Sequence, residues 1–290
     1  MIFEKKYNEY LSLINDGLDR LFDSLDCVSP EIIEGMKYAV VGGGKRIRPV
    51  LSLAFADVLK VSQEDIFNFA LAIELIHSYS LVHDDLPALD NDDYRRGKLS
   101  THKKYGEAYG ILIGDALLNL AYETALNKPS FTEKDKKALK LIADYVGYSG
   151  MIAGQYLDLK NEKNPNVLEK ELINVYENKT AKLLTAPILV ASILADNSFY
   201  SELKELGFSL GLSFQIKDDL MDYYGNIETI GKTPGKDATQ DKLTSIKIYG
   251  LDGAKEKLAK LNDNALKIVS KLPNNEFIKL LLNNLYLRNS

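Results

Sequence analysis

From His83 to Gly97 the chain reads H-D-D-L-P-A-L-D-N-D-D-Y-R-R-G, with Asp84, Asp85, Asp90, Asp92 and Asp93 close together and Arg95 and Arg96 directly after them. The run continues an apolar, helix-like segment from Ile66 to Val82. A buried helix that ends in clustered carboxylates needs cations to neutralise them. Donors that are all oxygen favour magnesium or calcium over zinc. The adjacent arginines suit a phosphate-bearing ligand that shares the metal. The competing reading is a charged loop that caps a helix. A second cluster, Asp218, Asp219 and Asp222, stands at i, i+1 and i+4 in F-Q-I-K-D-D-L-M-D. Asp218 and Asp222 therefore project from one helix face with Asp219 alongside. Two such clusters on two apolar helices point to a shared metal site.

Basic residues follow a different pattern. Gly42-Gly43-Gly44-Lys45-Arg46-Ile47-Arg48-Pro49 sets three cations at a predicted helix N-terminus, where free N–H groups also attract anions. Pro49 fits the first turn, and the spacing excludes a Walker A loop. Gly231 to Asp237, with Lys232 and Lys236, reads as a flap, followed by Asp241-Lys242-Leu243-Thr244-Ser245. Gly114-Asp115 and Gly154-Gln155-Tyr156-Leu157-Asp158 place polar groups in apolar helices and read first as satisfied core residues. Asn178-Lys179-Thr180 opens another apolar segment.

The elements that must hold these groups are helical. Tyr7, Leu11, Ile14, Leu18 and Leu21/Phe22 form one stripe of helical spacing, and such spacing recurs almost throughout. Strand-like alternation is scarce. The expectation is an all-α bundle of ten or more helices, residues 1–290 forming a single domain. His77 shares a face with Asp84 two turns below it, Ser80 lies almost directly under Asp84, and Tyr79 sits beside Ser80. On an unbroken helix Asp90 would face away from Asp84. Pro87 predicts instead that the chain unwinds at Leu86–Leu89 and returns Asp90 to the same metal. The spacing does not fit a calcium-binding loop of the D-x-D-x-D-G type.

Composition narrows the class. Hydrophobic residues make up 46% of the 290 and the net charge is −5, enough apolar surface for a large core. No basic stripe interleaved with aromatics argues for nucleic acid. Cys27 is the single cysteine, which excludes an internal disulfide and a cysteine-based zinc site. The longest apolar run, Ala186 to Ala195, contains Pro187 and is too short to span a bilayer. The charged N-terminus lacks a signal-peptide core. A soluble cytoplasmic protein without a transmembrane segment is expected.

G-G-G-K-R-I-R-P, H-S-Y-S-L-V-H-D-D-L-P-A-L-D, D-D-Y-R-R-G, G-D-A-L-L, G-Q-Y-L-D-L, K-T-A-K-L, F-Q-I-K-D-D-L-M-D and G-K-T-P-G-K-D occur in this order between Glu34 and Ser245. The ordered set resembles the trans-polyprenyl diphosphate synthases, and among them the bacterial farnesyl diphosphate synthase branch, which shares the D-D-x-x-x-x-D spacing. The resemblance implies a bundle around a deep central cavity, a homodimer, and two facing aspartate helices that hold three Mg²⁺ on an allylic diphosphate. It carries Asp84, Asp90 and Asp218 over as metal ligands, with Asp85, Asp219 and Asp222 as close supports. Arg95, Lys179 and Lys232, joined by Lys242, would hold the allylic diphosphate. Lys45, Arg48, His77 and Arg96 would hold isopentenyl diphosphate. Thr180 and Gln215 would turn their oxygens to the developing cation, which makes Lys179, Thr180, Gln215 and Arg95 the expected catalytic set.

The implied reaction is ionisation of the allylic C–O bond, attack by the alkene of isopentenyl diphosphate, and loss of a proton to the departing diphosphate. An aromatic ring at Tyr79, with Ser80 beside it, implies a floor to the cavity and a C15 product. A C20 synthase with the same machinery is the nearest rival. A terpene cyclase would not need the second diphosphate pocket of Lys45, Arg48 and Arg96. A non-catalytic partner subunit would be free to lose its aspartates, yet both clusters are intact. One departure stands out: where members of the family it resembles often carry G-K-x-T-Y-P, this chain has Asp241-Lys242-Leu243-Thr244-Ser245-Ile246. Arg288 matches a basic residue in the tail of relatives.

Overall fold

The apolar stripe of the first residues forms α1 (Ile2–Asp23) and buries Tyr10, Ile14, Leu18 and Phe22. In chain order follow α2 (Pro30–Val41), α3 (Ile47–Leu59), α4 (Gln63–Asp84), strands β1 (Tyr94–Arg95) and β2 (Lys98–Leu99), α5 (Thr101–Tyr105) and α6 (Glu107–Leu126). After these come α7 (Glu133–Val146), α8 (Met151–Asn161), α9 (Glu169–Tyr176), a π-helical turn (Glu177–Ala181), α10 (Lys182–Ala195) and α11 (Tyr200–Tyr224). The last helices are α12 (Ser245–Val269) and α13 (Glu276–Leu287). This computed structural model describes residues 2–41, 43–162, 164, 166–197, 199–224 and 243–287. The expected all-α class, with ten or more helices, is what the described residues form.

The chain divides into two compact units, Met1–Leu53 with Ser62–Thr132, and Ala54–Val61 with Glu133–Ser290. In the first, α4 is the central element. Ser62 caps it by accepting the Asp65 N–H at 3.1 Å, satisfying one of the donors that a helix start leaves open. Apolar residues surround the helix axis, and Ile66, Phe69, Ile73, Leu75 and Ile76 are at most 1% exposed. A helix apolar on every side belongs inside a protein, where each such side chain contributes roughly 1.5–3 kcal/mol. By length and hydropathy α4 passes for a membrane span, but 67% of its apolar window is buried within the protein. It is a core helix, packed mainly on α6.

Among the described residues, the β-hairpin is an element that helical periodicity did not foresee. Tyr94 pairs with Leu99 and Arg95 with Lys98. The two turn residues, Arg96 and Gly97, both have positive φ (53° and 75°), as a tight type I′ hairpin requires. In the second unit α11 packs on α10 and α12. Leu172, Val175, Ile216, Leu220 and Leu243 share one buried cluster there. Pro187 sits inside α10, which stays helical through it.

Candidate active site

In the first unit α4 stops at Asp84, before the proline at 87, because the residue preceding a proline avoids helical backbone. The chain then turns back on itself. Asp90 N–H donates to the Asp84 carbonyl at 2.8 Å, Asp92 N–H to that of Asp85 at 3.2 Å, and Leu89 N–H to that of Leu86 at 2.9 Å. The unwinding expected at Leu86–Leu89 is present and brings Asp90 back beside Asp84. Both residues are half-buried, whereas Asp85 is 2% exposed. Arg95 clasps that buried carboxylate: Nε donates to Asp85 Oδ1 at 2.9 Å and Oδ2 at 3.2 Å, and Nη2 donates to Oδ1. Arg95 Nη2 is also 3.5 Å from Asp92 Oδ2. Burial works against the Arg95 charge, but Asp85, Asp92 and Asp84 together hold it above its ordinary pKa.

A basic group lies on the same unit. Lys45 is exposed in the loop after α2, and Arg48 is half-buried in the first turn of α3. The third cation of that stretch differs from expectation. Arg46 is 4% exposed and donates to Glu74 Oε1 at 2.8 Å and to the Val40 carbonyl at 2.8 Å. A buried acid in the middle of α4 needs such a partner, so Arg46 is drawn inward while Lys45 stays outside. Arg96 Nη1 donates to the Gly43 carbonyl at 2.6 Å. Burial, then the charges of Arg48, Arg96, Arg95 and Arg46, push His77 well below the usual histidine pKa. The expected isopentenyl diphosphate group of Arg48, His77 and Arg96 therefore lies in one electropositive neighbourhood.

Tyr79 is 5% exposed, its ring edge-on to His83 at 5.8 Å, and its Oη has no hydrogen-bond partner among the described residues. His83 Nε2 is 3.0 Å from the Ile111 carbonyl and 3.8 Å from Asp115 Oδ1. The polar pair Gly114-Asp115 thus seats His83. Ser80 Oγ donates to the His77 carbonyl at 2.9 Å.

In the second unit the π-helical turn presents Lys179 and Thr180. Such turns shift the helix register by one residue and often mark functional positions. Lys179 Nζ pairs with Asp158 Oδ2 at 2.5 Å. One turn earlier on α8, a Cβ on Gly154 would stand 2.1 Å from the Lys179 nitrogen, so only glycine admits this crossing. Thr180 Oγ1 donates to Gln215 Oε1 at 2.8 Å, joining the two residues expected to face the cation.

The second aspartate cluster rides on α11 without a break. Asp218 and Asp222 are half-buried, and Asp219 is 5% exposed. Asp219 Oδ2 accepts from Tyr176 Oη, from Ser245 N–H at 2.7 Å and from Ser245 Oγ at 2.6 Å. Burial and the Asp219 carboxylate raise the Tyr176 pKa, so its phenol stays a donor. Ser245 is fully buried and supplies two of these bonds.

The donor chemistry fits a hard divalent cation, since every candidate ligand is a carboxylate oxygen. Among the described residues no three His, Cys, Asp or Glu groups converge as a ready ligand set. Magnesium keeps several waters and takes one or two carboxylates plus phosphate oxygens, so a preformed protein cage is not required. Lys232, Lys242, the Gly231 to Asp237 flap and Arg288 lie outside the described residues. Sequence reasoning missed Arg46, Glu74 and Tyr176 as partners in these networks. A lone acid within the apolar α4 was the available signal for Glu74; nothing singled out Tyr176.

The pattern that defines the polyprenyl synthetase family matches residues 29–279. The chain is 39% identical over 284 residues to the farnesyl diphosphate synthase of Micrococcus luteus, covering 97% of this chain and 96% of that one. It is also 39% identical over 257 residues to the chloroplastic geranylgeranyl pyrophosphate synthase of Capsicum annuum, 87% of this chain and 69% of that protein. The geranyltransferase of Helicobacter pylori, solved with magnesium and isoprenyl diphosphate, superposes with a TM-score of 0.79 at 29% identity, over 97% and 96% of the two chains. The fold and the paired aspartate motifs are those of a prenyl-transferring enzyme. The chain belongs to the polyprenyl synthetase family.

Proposed function

We propose that this enzyme condenses dimethylallyl or geranyl diphosphate with isopentenyl diphosphate, head to tail, and releases (2E,6E)-farnesyl diphosphate. The C15 product rests on one observation. Tyr79 buries an aromatic ring five residues before Asp84, about 7–8 Å back along the α4 axis. A ring there limits how far a growing chain extends below the aspartates. The near-full-length likeness to the Micrococcus luteus synthase supports the same product.

Asp84, Asp90 and Asp218 would hold magnesium, with Asp222 in support, and the ions would neutralise charge on the departing diphosphate. Lys179, presented by its π-helical turn, and Arg95 would take up the same developing charge. Lys232 and Lys242 complete the basic set. The hydrogen-bonded oxygens of Thr180 and Gln215 face the allylic cation and stabilise it without attacking it. Lys45, Arg48, His77 and Arg96 orient isopentenyl diphosphate so that its alkene meets the cation. The proton then leaves to the diphosphate. Water must be kept out, because it would capture the cation. We also read the enzyme as a homodimer, since α6 exposes Tyr109, Ile111 and Leu112 at 64%, 47% and 54%.

The test is chromatography of the alcohols released from products made with labelled isopentenyl diphosphate and dimethylallyl diphosphate. Farnesol is expected. Geranylgeraniol as the main product would favour the C20 alternative, which the likeness to the Capsicum annuum enzyme keeps in view. Tyr79→Ala should lengthen the product, and an unchanged C15 output would remove Tyr79 from this role.

A further inference from the structure

The family pattern begins at residue 29, so α1 lies ahead of it. Two polar side chains of α1 nevertheless reach the loop between α2 and α3 that carries Lys45. Tyr7 Oη donates to the Lys45 carbonyl at 2.5 Å. Asn15 Oδ1 accepts from Arg46 Nε at 3.2 Å. The remaining arms of the Arg46 fork are taken by Glu74 and the Val40 carbonyl, each at 2.8 Å. From the hairpin, Arg96 holds the Gly43 carbonyl at 2.6 Å.

The loop backbone needs such restraint. Its φ values are 111° at Gly43, 126° at Gly44 and 49° at Arg46, conformations a free chain leaves readily. A Cβ at Gly44 would stand 2.9 Å from Arg96 Cζ and so would displace the guanidinium that holds the Gly43 carbonyl. In a trans peptide the C=O and N–H point in opposite directions. Drawing the Gly43 and Lys45 carbonyls onto Arg96 and Tyr7 therefore turns the Gly44 and Arg46 N–H groups away from those donors. Peptide N–H groups beside an exposed lysine can form a seat for an anion. Burial and the charge of Glu74 raise the Tyr7 pKa, so its hydroxyl remains a donor.

We infer that α1 braces this loop, with Tyr7 and Asn15 as positioning residues that preset Lys45 and its neighbouring peptides for the diphosphate of isopentenyl diphosphate. The inference rests on the reading of Lys45 and Arg48 as anchors of that substrate. A loop already held in its binding shape loses less freedom when the anion arrives.

Two measurements on the full chain separate the brace from the site it serves. Tyr7→Phe and Asn15→Ala should speed hydrogen–deuterium exchange in the peptide covering residues 40–48. They should also raise KM for isopentenyl diphosphate about three- to tenfold, the range for one lost hydrogen bond, while kcat and KM for the allylic substrate stay near wild type. Unchanged exchange in both variants would overturn the brace. Equal rises in both KM values would also overturn it, as the mark of a general structural role. Faster exchange with both KM values unchanged would leave the contact real but remove Lys45 as the anchor, and the positioning role with it. Lys45→Ala, which keeps the Tyr7 bond to the backbone, should raise KM for isopentenyl diphosphate alone.

Discussion

The two aspartate clusters solve one electrostatic problem by different means. At the end of α4 the helix breaks at Pro87, and the buried Asp85 is neutralised by a full charge, the Arg95 guanidinium. On α11 the helix runs on, and among the described residues the buried Asp219 accepts from neutral donors, a phenol, a hydroxyl and a peptide N–H. In both, the second aspartate of the pair is buried and tied to a residue further along the chain, Arg95 in the hairpin or Ser245 at the start of α12. The first aspartate, Asp84 or Asp218, stays half-exposed. Under the proposed function the paired motif would divide its work, one carboxylate anchoring the segment that follows and its neighbour serving the metal-bound ligand.

That division is open to direct attack. The largest effect should come from Asp84→Asn or Asp218→Asn, each lowering kcat by about a thousandfold at saturating magnesium, with the thermal midpoint almost unmoved. If Asp85→Asn matched that loss of activity without losing stability, the two carboxylates would not differ in kind. Asp85→Asn should instead strand Arg95 beside a neutral amide and cost about 3 kcal/mol of unfolding free energy, read from urea titration. Tyr176→Phe removes one neutral donor of several around Asp219 and should cost only about 1 kcal/mol in the same titration. A larger loss than that of Asp85→Asn would reverse the contrast between charged and neutral anchoring.

The smallest effect concerns pH. Burial and four arginines depress the His77 pKa in the folded chain, whereas the unfolded chain titrates near the ordinary value of about 6.5. Above that pH neither state carries the proton. Below it only the unfolded state takes it up, so His77 lowers stability as the solution is acidified. His77→Asn should therefore gain on the wild type in urea midpoint between about pH 7 and pH 5.5. A difference that stays constant over this range would mean that the histidine protonates freely in place.

Much of this protein could be read from residue order. Helical spacing determined the class, Pro87 two residues after Asp85 determined where α4 stops and the chain turns back, and carboxylates at i and i+4 determined the shared face of α11. These are local consequences of backbone sterics and helical period, and they need no knowledge of distant partners. Tertiary structure alone decided which members of each charged run face inward. Arg46 and Lys45 are neighbours of like charge, yet only Arg46 meets Glu74, 28 positions away. Tyr176 and Ser245 find Asp219 across 43 and 26 positions. A buried charge must be matched by whatever the fold brings to it, and no local pattern in the chain encodes that meeting.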